Sequence, residues 1–158
     1  MGLDITAYKN LKIVKNPKLD EYGDIENYDT EWNPGASMEW SEEHFPGRGE
    51  GIDHKAIYTW EEDFGFRAGS YSSYNEWRRD LDSFARGNSF LELINFADNE
   101  GVIGFVVAKK LAKDFKDNEN RAKKFAKELC DGEWWLSKYK DWQKAFELAE
   151  NNGAVSFH

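Results

Sequence analysis

The stretch FGFRAGSYSSYNEWRRD, residues 64–80, marks the point where a strand-forming half of the chain passes into a helical half. Ser73 and Glu76 have capping-box spacing, in which a hydroxyl and a carboxylate each take an orphan amide of the first helical turn. Tyr74, Trp77, Leu81, Phe84 and Ala85 then recur at helical spacing and give the helix an inward face. Gly65 and Gly69 predict a loop ahead of it, and a glycine loop entering a helix N-terminus can offer amides to an anion. Arg67 and Arg78 carry the forked donors that suit phosphate or carboxylate. The same arginines can instead pair with acidic neighbours, and Tyr71 and Tyr74 can be core rims. No Gly-Lys-Ser/Thr ending makes this a P-loop, and the glycine spacing is not that of a dinucleotide fingerprint.

Upstream, Leu3, Ile5 and Ala7 alternate with polar residues and predict a strand, with Leu11, Ile13 and Val14 extending it or starting another. Residues 18–35 read as irregular chain with one short strand near Ile25–Tyr28, and Met38–Trp40 as another short strand. His44 to Gly51 reads as a shaped loop around Arg48, a side chain that either reaches a ligand or stays in solvent. Ile57–Trp60 has strong β propensity.

Downstream, Ser89 and Glu92 form a second capping box ahead of Phe90, Leu93, Ile94 and Ala97, which predicts a second helix. Asp98, Asn99 and Glu100 follow between apolar segments. They can take an arginine, grip a ribose-like diol or hold a cation. Gly104–Lys116 and Arg121–Leu129 read as helices. Trp135, Tyr139, Trp142, Phe146 and Ala149 mark a last helix with a core face, and Ala154–Phe157 a final strand. The fold class is therefore α+β: a single domain over residues 1–158. A small antiparallel sheet is packed by four or five helices concentrated in the C-terminal half. The strands at Leu3–Ala7 and Ala154–Phe157 lie close together in it.

The net charge of −9 is unevenly spread. Asp20 to Asp63 holds fourteen acidic residues against Arg48 and Lys55, whereas Lys109 to Lys127 holds eight basic residues against three acidic ones. The acidic half argues against general binding to duplex nucleic acid. The absence of a long apolar run argues against a membrane span, and no signal peptide opens the chain. A lone Cys130 permits no internal disulfide, so a cytoplasmic location is expected. His44, His54 and His158 lack zinc-ligand spacing, no cofactor motif is present, and no base is paired with Ser70 or Ser72. No catalytic or metal residue is therefore assigned. Seven Trp and seven Tyr exceed what one core of this size needs, which predicts a homo-oligomer.

The opening Met1 to Tyr8 resembles the start of a widespread family of small proteins of tailed bacteriophages and prophages. The similarity continues through Phe45–Arg48, Phe64–Arg78, Phe96–Gly104, Ala112–Phe115 and Gly153–His158. Members of that family carry Pro where Phe105 stands here. The resemblance brings no activity with it. It implies a phage origin, action in the cytoplasm of a bacterial host, and an accessory role. By analogy with phage accessory proteins that counter host immunity, three functions are open. The first expectation is a protein that binds and sequesters a nucleotide-derived immune signal without cleaving it. Its site would comprise Arg67, Ser70, Tyr71, Tyr74, Trp77, Arg78, Asp98, Asn99, Glu100 and Arg48, with Arg67, Ser70, Tyr71 and Arg78 facing Asp98, Asn99 and Glu100 across one pocket. The alternatives are an acidic inhibitor of a host enzyme, acting by protein interaction, and a hydrolase of a nucleotide-like substrate using Asp98 and Glu100.

Overall fold

The computed structural model describes residues 2–158. Strand β1 (Gly2–Lys9) is the organiser, because it pairs on both sides. The other elements are β2 (Lys12–Ile13), α1 (Gly35–His44), β3 (Tyr58–Thr59), β4 (Glu62–Ser70), α2 (Tyr71–Phe84), α3 (Leu91–Ile94), β5 (Gly101–Gly104), α4 (Phe105–Asp117), α5 (Glu119–Ala126), α6 (Gly132–Ala149) and β6 (Ala154–Phe157). The main sheet has the order β4-β1-β6-β5, antiparallel throughout, and β2 and β3 form a separate pair. The chain is thus an α+β domain with its helices mostly in the C-terminal half. The two ends meet as the alternation predicts, with Ile5 opposite Phe157 and Tyr8 opposite Ala154.

Alternation along β1 builds two cores. Leu3, Ile5 and Ala7 face a large core shared with α2, α4, α5 and α6, where Trp77, Trp135, Tyr139, Trp142 and Phe146 are almost wholly buried. Tyr8 faces the other way, into a smaller core with Leu11, Met38, Tyr58, Val102 and Ala154. The layers are helices, sheet, and then α1 with the N-terminal loops. Gly153 lets the end of α6 turn back into β6, since a Cβ there would lie 1.8 Å from the Tyr8 carbonyl oxygen.

Several local expectations give way to tertiary pairing. Residues 64–70 are strand rather than loop: Phe64, Phe66 and Ala68 turn to the core, while Asp63, Gly65 and Arg67 face out. The helix accordingly starts at Tyr71, and its cap is Ser70, whose hydroxyl accepts from the Ser73 amide at 3.1 Å. Met38–Trp40 lies in α1, not a strand. Only Met38 and Ser41 are buried along it, so no apolar stripe betrays the helix. Ile25–Tyr28 contributes one bridge, Leu19 to Ile25, instead of a strand. The Ser89 capping box does not form. Phe90 takes a left-handed backbone (φ 64°) and its amide donates to Asp114 Oδ2 at 3.0 Å, leaving α3 a single turn. That conformation persists because the Phe90 ring is gripped by Phe115, Phe84 and Tyr139. Gly101–Gly104 is a fully buried strand that its short apolar run does not distinguish from the helix after it.

Trp142→Ala is expected to cost about 3–5 kcal/mol of stability in urea unfolding, because it empties the centre of the aromatic layer. Tyr22→Ala, at a side chain 81% exposed, should stay within about 0.5 kcal/mol.

Candidate functional site

The antiparallel order brings the start of β1, the end of β4, the end of β6 and the start of β5 to one end of the sheet. The segments around Arg67–Arg78 and Asp98–Glu100 therefore share that end. They are tied by a polar brace. Asn75 on α2 donates to Asp98 Oδ2 at 2.9 Å and accepts from Arg78 Nη2 at 2.6 Å. Arg78 Nη1 donates to the Phe96 carbonyl at 2.6 Å, and its guanidinium lies over the Tyr74 ring, 5.1 Å from the centroid. Asn75 also donates to the Tyr71 carbonyl at 2.9 Å. Asn75 is the hub the sequence does not announce, although its spacing of three from Arg78 puts both on one helix face.

The predicted residues do not converge on one pocket. Arg67 projects from the outer face of the sheet and pairs loosely with Asp4 at 3.7 Å, while α2 packs on the inner face. Across the sheet, Phe66, Ile5, Phe157 and Gly101 lie in one row. Arg67 and Glu100 are thus separated by three strand spacings, roughly 14 Å. Tyr74 and Trp77 are 0% and 1% exposed, so neither ring is free to stack on a base. Burial also drives the Tyr74 hydroxyl pKa upward, so it stays protonated. Arg48 is committed as well: Nε donates to the Glu92 carbonyl at 3.0 Å and Nη2 to the Asn95 carbonyl at 3.1 Å, bracing the end of α3. Ser70, Tyr71, Asn99 and Glu100 remain exposed, and Asp98 is half-buried in the brace.

An open cleft of about 670 Å³ lies on the opposite layer. It is bordered by Leu19, Ile25, Tyr28, Glu39, His54 and Lys55. Its rim is folded locally: Asp20 Oδ1 accepts from the amides of Tyr22 and Asp24, and the Lys18 carbonyl from Glu26. Asn33 fastens the other side by donating to the carbonyls of His54 and Ala56. Beneath, Trp32 stacks on Tyr8 at 4.8 Å and Trp60 lies 4.7 Å from it. Burial and the nearby Asp63 carboxylate push the Tyr8 hydroxyl pKa up to about 12. Glu31 is buried, with Oε1 accepting from Asn27 at 3.3 Å and Oε2 left without a partner.

This layer carries most of the acidic half of the chain, whose last two members, Glu62 and Asp63, lie on β4. Of the fourteen carboxylates of that half, twelve are exposed, Glu42 is half-buried and Glu31 buried. None of the fourteen forms an ion pair among the described residues. Exposed apolar groups stand among and beside them: Ile13, Leu19, Tyr22 and Tyr28. Among the described residues, no helix is long and apolar enough to cross a membrane. Comparison with known proteins finds no matching family, no matching characterised sequence and no matching solved structure.

A double-mutant cycle on Asn75→Ala and Arg78→Ala should give a coupling of about 0.5–3 kcal/mol in chemical unfolding. Additive effects would show that the two side chains do not act as one brace.

Proposed function

We propose that this chain is an interaction protein whose acidic layer covers a cationic, phosphate-binding surface on a partner protein. The carrying observation is unpaired charge: twelve exposed carboxylates on one stretch of chain, none of which forms an ion pair among the described residues. Unpaired surface charge of one sign steers association with an oppositely charged surface and selects against partners of like charge. Tyr22 and Tyr28, 81% and 77% exposed, supply amphipathic rings of the kind enriched at interface centres. Within the setting the family resemblance implies, the partner is a nucleic-acid-binding enzyme of the bacterial cytoplasm, and carboxylates take the place of backbone phosphates.

The sequestration reading rests on fewer groups. Arg67, Ser70, Tyr71, Asn99 and Glu100 are exposed at one end of the sheet, which favours it. Against it, the Tyr74 and Trp77 rings are buried, which leaves Tyr71 as the exposed ring, and Arg78 is engaged internally. The hydrolase reading has Asp98 already accepting from Asn75.

The test is displacement of labelled duplex DNA from purified DNA-binding bacterial nucleases, followed by fluorescence anisotropy. The wild-type chain should displace DNA from a susceptible enzyme. Asp20→Asn, Asp24→Asn, Glu26→Gln and Asp29→Asn combined should weaken displacement about tenfold or more. Tyr28→Ala should weaken it at high salt as well as low, since its contribution is not screened. Displacement unchanged by charge removal would exclude the acidic layer as the contact. No displacement, together with a phosphorylated small molecule released intact on heating the protein from infected cells, would establish sequestration instead.

A further inference from the structure

The two edges of the main sheet are treated differently. Asp4 and His158 exchange backbone hydrogen bonds at 2.9 Å, which fixes the even residues of β1 as those bonded to β6. The odd residues Ile5, Ala7 and Lys9 then bond β4 through Phe66, Phe64 and Glu62. Asp63, Gly65 and Arg67 consequently point their N–H and C=O groups away from the sheet. The same alternation makes Val102 and Gly104 the outward residues of β5. Both of their amides are taken, Val102 by Ser41 Oγ at 3.3 Å and Gly104 by the Arg48 carbonyl at 2.8 Å. That edge is closed. Of the outward backbone groups of Asp63, Gly65 and Arg67, among the described residues, only the Arg67 carbonyl has a partner, Lys138 Nζ at 2.7 Å. Asp63, Gly65 and Arg67 are all exposed, and a Cβ built on Gly65 would meet nothing nearer than the Ile5 carbonyl at 3.6 Å. A nine-residue strand with an open edge is a template for pairing.

We propose that the occupant of this edge is β4 of a second copy of the chain, antiparallel and related by a two-fold axis through Gly65. A backbone-bonded pair needs two outward-facing residues, so only registers that match odd with odd positions are available. Centring on Gly65 places Gly65 opposite Gly65 of the second copy and Asp63 opposite Arg67, the latter twice by symmetry. Three pairs then exchange two bonds each. Asp63 and Arg67 lie on the same outer face, so opposite charges meet across the junction. On the inner face Phe64 meets Phe66 twice. Both rings are only partly buried in one copy, stacked at 5.6 Å along the strand edge.

The neighbouring symmetric registers fail on charge. Centring on Asp63 or Arg67 sets like charges face to face. Centring on Phe66 leaves Arg67 opposite Gly65, and centring on Phe64 leaves Asp63 opposite Gly65. Lys138 is compatible with the junction, because a carbonyl oxygen has two lone pairs and can accept from Lys138 and from Asp63 of the second copy together. The result is a continuous eight-stranded sheet with both acidic layers on one side.

Sedimentation velocity at about 100 µM protein tests this, a concentration at which a dimer with a dissociation constant of about 100 µM or tighter is populated. The wild type should sediment as a dimer. Arg67→Asp alone, or Asp63→Arg alone, sets like charges opposite twice and should raise the dimer dissociation constant tenfold or more. The double swap should restore dimer, and that rescue separates a broken junction from a misfolded chain. A wild-type monomer at this concentration overturns the proposal. So does a dimer that ignores both single swaps, or one that the double swap fails to rescue.

Discussion

Trp77 and Trp135 each donate an indole N–H to the other's backbone carbonyl, at 3.0 and 3.3 Å. A buried indole without a partner costs the desolvation of its N–H, so this reciprocal clasp satisfies two donors and fixes α2 against α6 in one step. Trp142 stacks beside it, 5.9 Å from Trp77 and 5.7 Å from Tyr74, and meets the sheet edge-on through Phe66 at 5.1 Å. The position of α2 follows from this layer. So does the fate of the rings at its start: Tyr74 and Trp77 turn inward because the clasp holds them there. What remains for the exposed side of α2 is the polar row Tyr71, Asn75 and Arg78, which reaches across to residues 96–98 and holds that loop in place.

The parts legible in the sequence are those whose period is set locally. The inward stripe of α2, the Trp–Tyr–Phe row of α6 and the alternation of β1 and β6 all appear at the expected positions. Residues 64–70 mislead because Gly65 and Gly69 argue for a loop while Phe64, Phe66 and Ala68 already alternate. The pairing with β1 decides between the two. Phe90 is harder still. Its left-handed backbone is held by Asp114, 24 residues away, which no local pattern encodes. The surroundings of the candidate residues are hidden in the same manner. Residue types at Arg48 and Arg78 suit a phosphate, but Arg48 is held by the carbonyls of Glu92 and Asn95 and Arg78 by that of Phe96 beside the Asn75 side chain, and carbonyls leave no signature in a sequence.

Charge is arranged by layer. Among the described residues the ion pairs involve none of the acidic half's carboxylates: Arg67 lies 3.7 Å from Asp4 on the sheet, and in the helical layer Lys110 bridges Glu92 and Asp114, each at 2.7 Å, Lys113 meets Asp117, and Lys138 lies 3.8 Å from Asp141. The helical layer thus neutralises itself in part, whereas the acidic layer does not. Self-repulsion among unpaired carboxylates destabilises a compact state. The aromatic cluster beneath them, in which Trp60 meets Tyr8, Tyr8 meets Trp32 and Trp32 meets Tyr58, supplies an opposing contribution from buried ring area. The layer is therefore anchored from below while its charge stays free above, the arrangement that an electrostatic contact surface requires.

Edge treatment follows from which segment crosses which strand. The connection from α1 through Arg48 must pass beside β5, because Ser41 and the Arg48 carbonyl occupy the amides of Val102 and Gly104. Arg48 then spends its guanidinium on α3, so one residue closes a sheet edge through its backbone and a helix end through its side chain. No segment is left to do this for β4, because the chain leaves that strand directly into α2, which turns under the inner face. The open edge is thus a consequence of topology, and two α6 cations reach that strand: Lys138 at the Arg67 carbonyl and Lys144 over the Phe64 ring, 4.2 Å from its centroid. A cation at a strand edge discourages indiscriminate pairing. It leaves the N–H groups of Asp63, Gly65 and Arg67 available, and these are what a strand of matched charge pattern needs.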